Sequence, residues 1–145
     1  MVITTIIAIY GACLSTFVLI YSFWTNRDHG EVKFENGVML DAQNQPIETI
    51  CLIIQNHEGK DIAISTYKIL FPNGKFFFQV PVNTLNKPNI PSVLSPRRKL
   101  SIIFDKSNIV NCLKQQGYNG EVNVKGRFIS DVDKEYDSKN FKISI

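Results

Sequence analysis

Residues 47–70 read IETICLIIQNHEGKDIAISTYKIL, and this stretch decides the fold. Ile50, Leu52 and Ile54 alternate with Thr49, Cys51 and Ile53, the two-residue side-chain reversal of a β-strand. After the polar connection Asn56-His57-Glu58-Gly59-Lys60 the alternation resumes. Ile62, Ile64, Thr66, Lys68 and Leu70 then oppose Ala63, Ser65, Tyr67 and Ile69. Two such runs separated by a short glycine-containing turn predict a hairpin.

Toward the C-terminus the pattern repeats. Pro72-Asn73-Gly74 marks a turn, and residues 75–80 form a strand carrying Phe76-Phe77-Phe78. Consecutive aromatic residues on a strand face both sides, so at least one ring leaves the main core. Residues 81–96 hold Pro81, Pro88, Pro91 and Pro96, which excludes a helix and predicts loop or edge structure. Lys99 to Phe104 is a further strand. Residues 108–116 form the one predicted helix of this region, capped by Asp105 or Ser107, apolar at Ile109, Val110 and Leu113, and stopped by Gly117. Residues 121–129 and 139–145 complete the strands, with a charged loop at residues 130–137. Toward the N-terminus, Glu31 to Glu35 alternates and a second strand continues through Val38-Met39-Leu40. Seven or eight strands with one short helix predict an all-β, immunoglobulin-like antiparallel sandwich, with a small β-barrel as the alternative.

The first 26 residues are a different object. They contain no Asp, Glu, Lys, Arg or His, so all 16 Lys and Arg and all 13 Asp and Glu fall in residues 27–145. Val2 to Trp24 reads VITTIIAIYGACLSTFVLIYSFW. As a helix it covers roughly 34 Å, against a hydrocarbon core of roughly 30 Å. One crossing is predicted, with Tyr21, Phe23 and Trp24 at the exit interface before Asn26, Arg27 and Asp28. The expected domains are therefore a transmembrane anchor, residues 1–26, and a β domain, residues 27–145. A cleaved signal peptide requires a basic leader, a shorter apolar core and a small-residue cleavage site, which this segment lacks. Tyr10-Gly11-Ala12-Cys13 departs from a lipoprotein cysteine box, having Tyr for an aliphatic residue and a long apolar run after Cys13.

Lys and Arg near the span are Arg27 and Lys33, both on the exit side, so the positive-inside rule predicts that the β domain lies in the cytosol. There Cys51 and Cys112 would stay reduced. Ala8, Gly11, Ala12, Ser15 and Thr16 recur at spacings of three and four and form a small-residue helix face. Such a face suits self-association or pairing with another membrane protein.

Taken in order, the features resemble a diffuse class of small bacterial proteins of unassigned role: a span ending in an aromatic residue and Arg, the strand Ile50-Cys51-Leu52-Ile53-Ile54-Gln55-Asn56, a Pro-Arg loop and a C-terminal Phe-Lys-Ile-Ser. The resemblance covers most of the chain. It implies one N-terminal span with an immunoglobulin-like domain and no particular activity.

Sites of chemistry are sparse in this sequence. His29 and His57 lack the spacing of a zinc ligand set, and Cys51 and Cys112 sit in apolar runs without an adjacent base. The run Asp131-Val132-Asp133-Lys134-Glu135-Tyr136-Asp137 has oxygen ligands at alternate positions but lacks the turn glycine and terminal glutamate of a calcium loop. No glycine-rich phosphate cradle occurs. No catalytic residue, metal or cofactor is assigned. A net charge of +3 is too small for a nucleic-acid polymer as partner.

One basic cluster, Arg97-Arg98-Lys99, suits contact with membrane lipid or another anion. The expected function is a membrane-anchored, non-catalytic interaction module or accessory subunit. The alternative is a membrane effector that senses a small nucleotide-like ligand, as in antiphage defence, with Phe76, Phe77 and Phe78 stacking on the base and Arg97, Arg98 and Lys99 holding phosphate.

Overall fold

A computed structural model describes residues 2–25, 30–57, 59–77, 85–86 and 88–145, with backbone alone at residues 2–4 and 23–25. The expectations on Asn26, Arg27, Asp28, His29, Phe78 and Pro81, and on the rings of Phe23 and Trp24, lie outside the described side chains.

The apolar N-terminal segment forms one helix, α1 (Val2–Thr25). Its window Thr5–Ser22 has a mean hydropathy of 1.8, long and apolar enough to cross a membrane. Every side chain from Thr5 to Ser22 is exposed. The hydroxyls do not need water, because Ser15 Oγ donates to Gly11 O at 2.7 Å and Thr16 Oγ1 to Ala12 O at 2.9 Å.

The remainder is antiparallel β structure. Among the described residues the strands are β1 (Gly30–Leu40), β2 (Pro46–Asn56), β3 (Ile62–Leu70), β4 (Phe76–Phe77), β5 (Ser92–Leu94), β6 (Lys99–Asp105), β7 (Glu121–Ser130), β8 (Glu135–Asp137) and β9 (Phe141–Ser144). One sheet has the order β1-β2-β6. In the other, β3 and β7 pair centrally, β4 and β5 share the far edge of β3, and β8 and β9 share the far edge of β7. Both sheets contribute to one core.

β2 is the most apolar strand because it is the centre of its sheet. Ile50, Leu52 and Ile54 are fully buried on its inner face. At about 2 kcal/mol each, these three outweigh any exposed ion pair, which contributes about 0.5 kcal/mol. Opposite them lie Ile64, Tyr67 and Ile69 of β3 and Val124 and Phe128 of β7. The Tyr67 and Phe104 rings meet edge-on across the core at 5.9 Å.

The predicted hairpin of residues 47–55 with 62–70 does not form. β2 pairs with β1 and β6, whereas β3 pairs with β4, β5 and β7, so the connection at residues 57–61 passes from one sheet to the other. Both strands carry strongly apolar faces, and stacking them face to face across the core buries those faces; edge-to-edge pairing would not. The alternation in β3 also changes phase. A register shift between Ile64 and Thr66 turns Tyr67 and Ile69 inward, in place of Thr66 and Lys68.

Elsewhere the elements follow their local signals. The two runs of residues 31–40 form the single strand β1. The helix α2 (Lys106–Gln115) starts at the Asp105 cap, whose carboxylate accepts from the Ser107 N–H at 2.8 Å. It ends in a Schellman arrangement: Gly117 at φ 87°, with Tyr118 N–H donating to Leu113 O and Gly117 N–H to Lys114 O. Ile109 and Leu113 close one end of the core. The charged loop expected at residues 130–137 is shorter, because β8 takes up residues 135–137.

The two sheets meet at one side. Val32 bridges Ser138, and the Phe34 and Phe141 rings stack at 5.0 Å. At that junction Gly126 is required, since a Cβ there would collide with Leu52 Cδ1 and press on the Phe34 ring. The outer edge of β6 is covered: Leu85 N–H donates to Ile103 O, and the Asn86 side chain bonds both Ser101 O and the Ile103 N–H. Among the described residues no strand pairs the outer edge of β1 beyond the Val32–Ser138 bridge.

Candidate functional site

β1 leaves α1 and runs from Gly30 to Leu40, so strand direction defines a near and a far end of the β domain. The register places Asn56 opposite Gly30, Lys99 opposite Gln55, Leu94 opposite Ile62 and Ser130 opposite Ile64. The β2–β3 connection, the β5–β6 turn and the β7–β8 turn therefore share the near end.

Asn56 organises this end, a role that its place in a polar connection does not reveal. It is fully buried, and its Nδ2 donates to Lys60 O at 2.7 Å and to Leu94 O at 2.9 Å. Its backbone N–H donates to Arg98 O at 3.0 Å, and its carbonyl accepts from Arg97 N–H at 2.8 Å. The side chain and the backbone N–H and C=O of this one residue thus fasten the β2–β3 connection to the β5–β6 turn.

In that turn Arg98 N–H donates to Ser95 O at 3.1 Å, with Pro96 and Arg97 at the two central positions. Arg97 has φ 62°, as a type II turn with proline at its first central position requires. Glycine or asparagine normally fills such a position, and an arginine there costs on the order of 1 kcal/mol. Arg97, Arg98 and Lys99 are all exposed.

Beside the same end, β1 and the β8–β9 segment border an open cleft of about 530 Å³, lined by Glu31, Lys33, His57, Asp137, Lys139 and Asn140 with Phe34 and Phe141. Its charges are mutually compensated in part. His57 Nε2 lies 2.9 Å from Glu31 Oε2, and Lys33 Nζ lies 2.7 Å from Glu35. The pairing with Glu35 raises Lys33 above the ordinary lysine range and lowers Glu35 below the usual carboxylate range. Asp137 is held by the Arg127 guanidinium at 2.5 and 2.7 Å, and Arg127 also meets Glu135 at 2.6 Å. The cleft has groups able to hold either charge sign, and none of its lining residues is a Ser, Thr or Cys nucleophile.

The other predicted positions are scattered. Ala8, Gly11, Ala12, Ser15 and Thr16 lie exposed on α1. Phe77 packs against Phe104 at 6.2 Å between ring centroids, while Phe76 is exposed beneath the Lys68 ammonium at 5.3 Å. Phe76 pairs with Leu70 at the far end of β3, whereas the Arg97 turn adjoins its beginning. About 26 Å of strand separates them, so the described aromatic and basic groups do not form one base-and-phosphate site. Cys51 lies on the outer face of β2, and burial pushes its thiol above the ordinary range, which keeps it protonated at neutral pH. Cys51 and Cys112 are unbridged. Among the described residues no group of three His, Cys, Asp or Glu side chains is placed to hold a metal ion.

No family model matches this chain. No curated protein matches it. Among solved structures it is similar to the Northeast Structural Genomics Consortium target SoR45, with 14% identity over 82% of this chain and 87% of that one and a TM-score of 0.33. It is also similar to a protein from Archaeoglobus fulgidus, with 14% identity over 81% of this chain and 98% of that one and a TM-score of 0.32.

Proposed function

We propose that this chain is a membrane-anchored, non-catalytic interaction module of a bacterial inner membrane, with α1 crossing the bilayer once and the β domain on the cytosolic side. The observation that carries the reading is the exposure of α1: its side chains from Thr5 to Ser22 are all exposed, while the β domain completes its own core from other residues. A long apolar helix that folding of the domain leaves uncovered needs lipid or other helices around it. Arg27 and Lys33 beyond its C-terminal end support the cytosolic placement.

The β domain is read as an immunoglobulin-like sandwich. In that arrangement the first, second and fifth strands share a sheet, as do the third, sixth and seventh. With β4 and β5 counted as one edge column and β8 and β9 as another, the order here agrees with it, although the fourth column pairs with the third instead of joining the first sheet.

Two surfaces suit partners. The small-residue face of α1 allows close approach of a second helix, from another copy or another membrane protein. The outer edge of β1 offers unpaired backbone groups to an added strand. The separation of the described Phe76 from Arg97 favours the module over the alternative of a nucleotide sensor. Photo-crosslinking in intact membranes tests the module: a crosslinker at Gly11 or Ser15 is expected to give one dominant adduct, and a crosslinker at Phe17 much less. No adduct from α1 or from the β1 edge at any position would reject the reading.

A further inference from the structure

Charge is divided across the near end of the β domain. Arg97, Arg98 and Lys99 are consecutive and exposed at the β5–β6 turn, and Lys60 is joined to them through Asn56. Toward the opposite side the charges are mixed, with acidic groups beside Lys33, Lys134 and Lys139. Asp131 and Asp133 are on the β7–β8 turn, Glu31 is on β1, and the strand order puts β1 and β8 at the edges away from β5 and β6. Asp61 follows Lys60 in the connection, and Lys99 also acts on the Glu35 carboxylate of β1.

The tether is short. From Thr25 to Gly30 the chain reaches at most about 18 Å even when fully extended. If α1 spans the bilayer, the start of β1 stays within about 18 Å of its end, so the near end can enter the roughly 8–10 Å range over which surface charge acts.

We propose that the cationic side of this end docks on an anionic bilayer surface, with Arg97, Arg98, Lys99 and Lys60 against lipid headgroups. The β1–β8 side, where Lys33, Lys134 and Lys139 offset the acidic groups, then lies farther from the lipid and leaves the Glu31–His57 cleft open. The proposal rests on the reading of α1 as an anchor. The left-handed backbone at Arg97 fits it, because a position that favours glycine instead projects a cation from the tip of the turn.

The test uses the full chain in lipid nanodiscs containing a gadolinium-chelating lipid, with amide line broadening read by NMR. In phosphatidylcholine with roughly 30% phosphatidylglycerol, broadening at Gly59 and Arg98 is expected to exceed that in pure phosphatidylcholine by about threefold. Val132 on the acidic turn and Gly74 at the far end are expected to change little. Salt at about 0.5 M should abolish the difference, as should Arg97→Gln/Arg98→Gln, which preserves the turn. Equal broadening in both lipids, or equal gains at Val132 and Arg98, would overturn the docking while leaving the anchor intact. Loss of the chain from the nanodisc on a salt wash would overturn both.

Discussion

Asn56 shows how much a single amide can hold. Its side chain satisfies two carbonyls from different connections while itself excluded from water. Replacing it by Ala strands those carbonyls, and Asn56→Ala is expected to cost about 2–3 kcal/mol in denaturant unfolding. Arg97 is the opposite case. Arg97→Gly should relieve the left-handed strain at φ 62° and stabilise the fold by on the order of 1 kcal/mol. The same change should weaken docking on anionic lipid, so stability and lipid contact move in opposite directions. Gly126→Ala should destabilise by about 1–3 kcal/mol, because the added methyl meets Leu52 and Phe34 inside the core. Cys51 and Tyr67 are both raised by burial, so the unfolded chain releases these protons first. The stability tied to Cys51 is full below the ordinary thiol range and is lost as pH rises from there through its raised folded value; for Tyr67 the loss begins only above the ordinary phenol range. Melting temperature should therefore fall from pH 8 to pH 10, and fall less in Cys51→Ala. Residue identities announce little of this. Asn56 reads as a turn residue, and its importance comes from neighbours 38 positions away in the chain.

Among the elements, those with local causes are legible in the sequence and those with distant causes are not. α2 is readable from its cap and its stop glycine because both act within a few residues. Asp105→Ala should lower stability by about 1 kcal/mol, measured by thermal or denaturant unfolding of the full chain in detergent. The extent of α1 follows from an uninterrupted apolar run. Strand existence is equally plain in Ile50, Leu52 and Ile54, but the partner of that strand is not. A two-residue period states which face is buried and is silent on which strand lies beside it. The phase change after Ile64 is likewise hidden, since a bulge is set by the register with β7.

At the scale of the whole molecule, the break in charge after residue 26 is enough by itself to separate helix from β domain. The basic run Arg97-Arg98-Lys99 is equally visible in the sequence. That it shares an end with the start of β1, and not with Phe76, follows only from the topology. To the proposed tethered domain the topology adds what composition does not hold: cations at the near end and an open edge along β1. The proposed function requires that α1 stays attached and holds this domain to the bilayer. Extraction of membranes with alkaline carbonate, followed by intact mass spectrometry of the full chain, tests it most directly. The protein is expected to remain in the pellet with α1 retained, at the 16.5 kDa of these 145 residues. Recovery in the supernatant, or at a mass lacking the apolar segment, would contradict it.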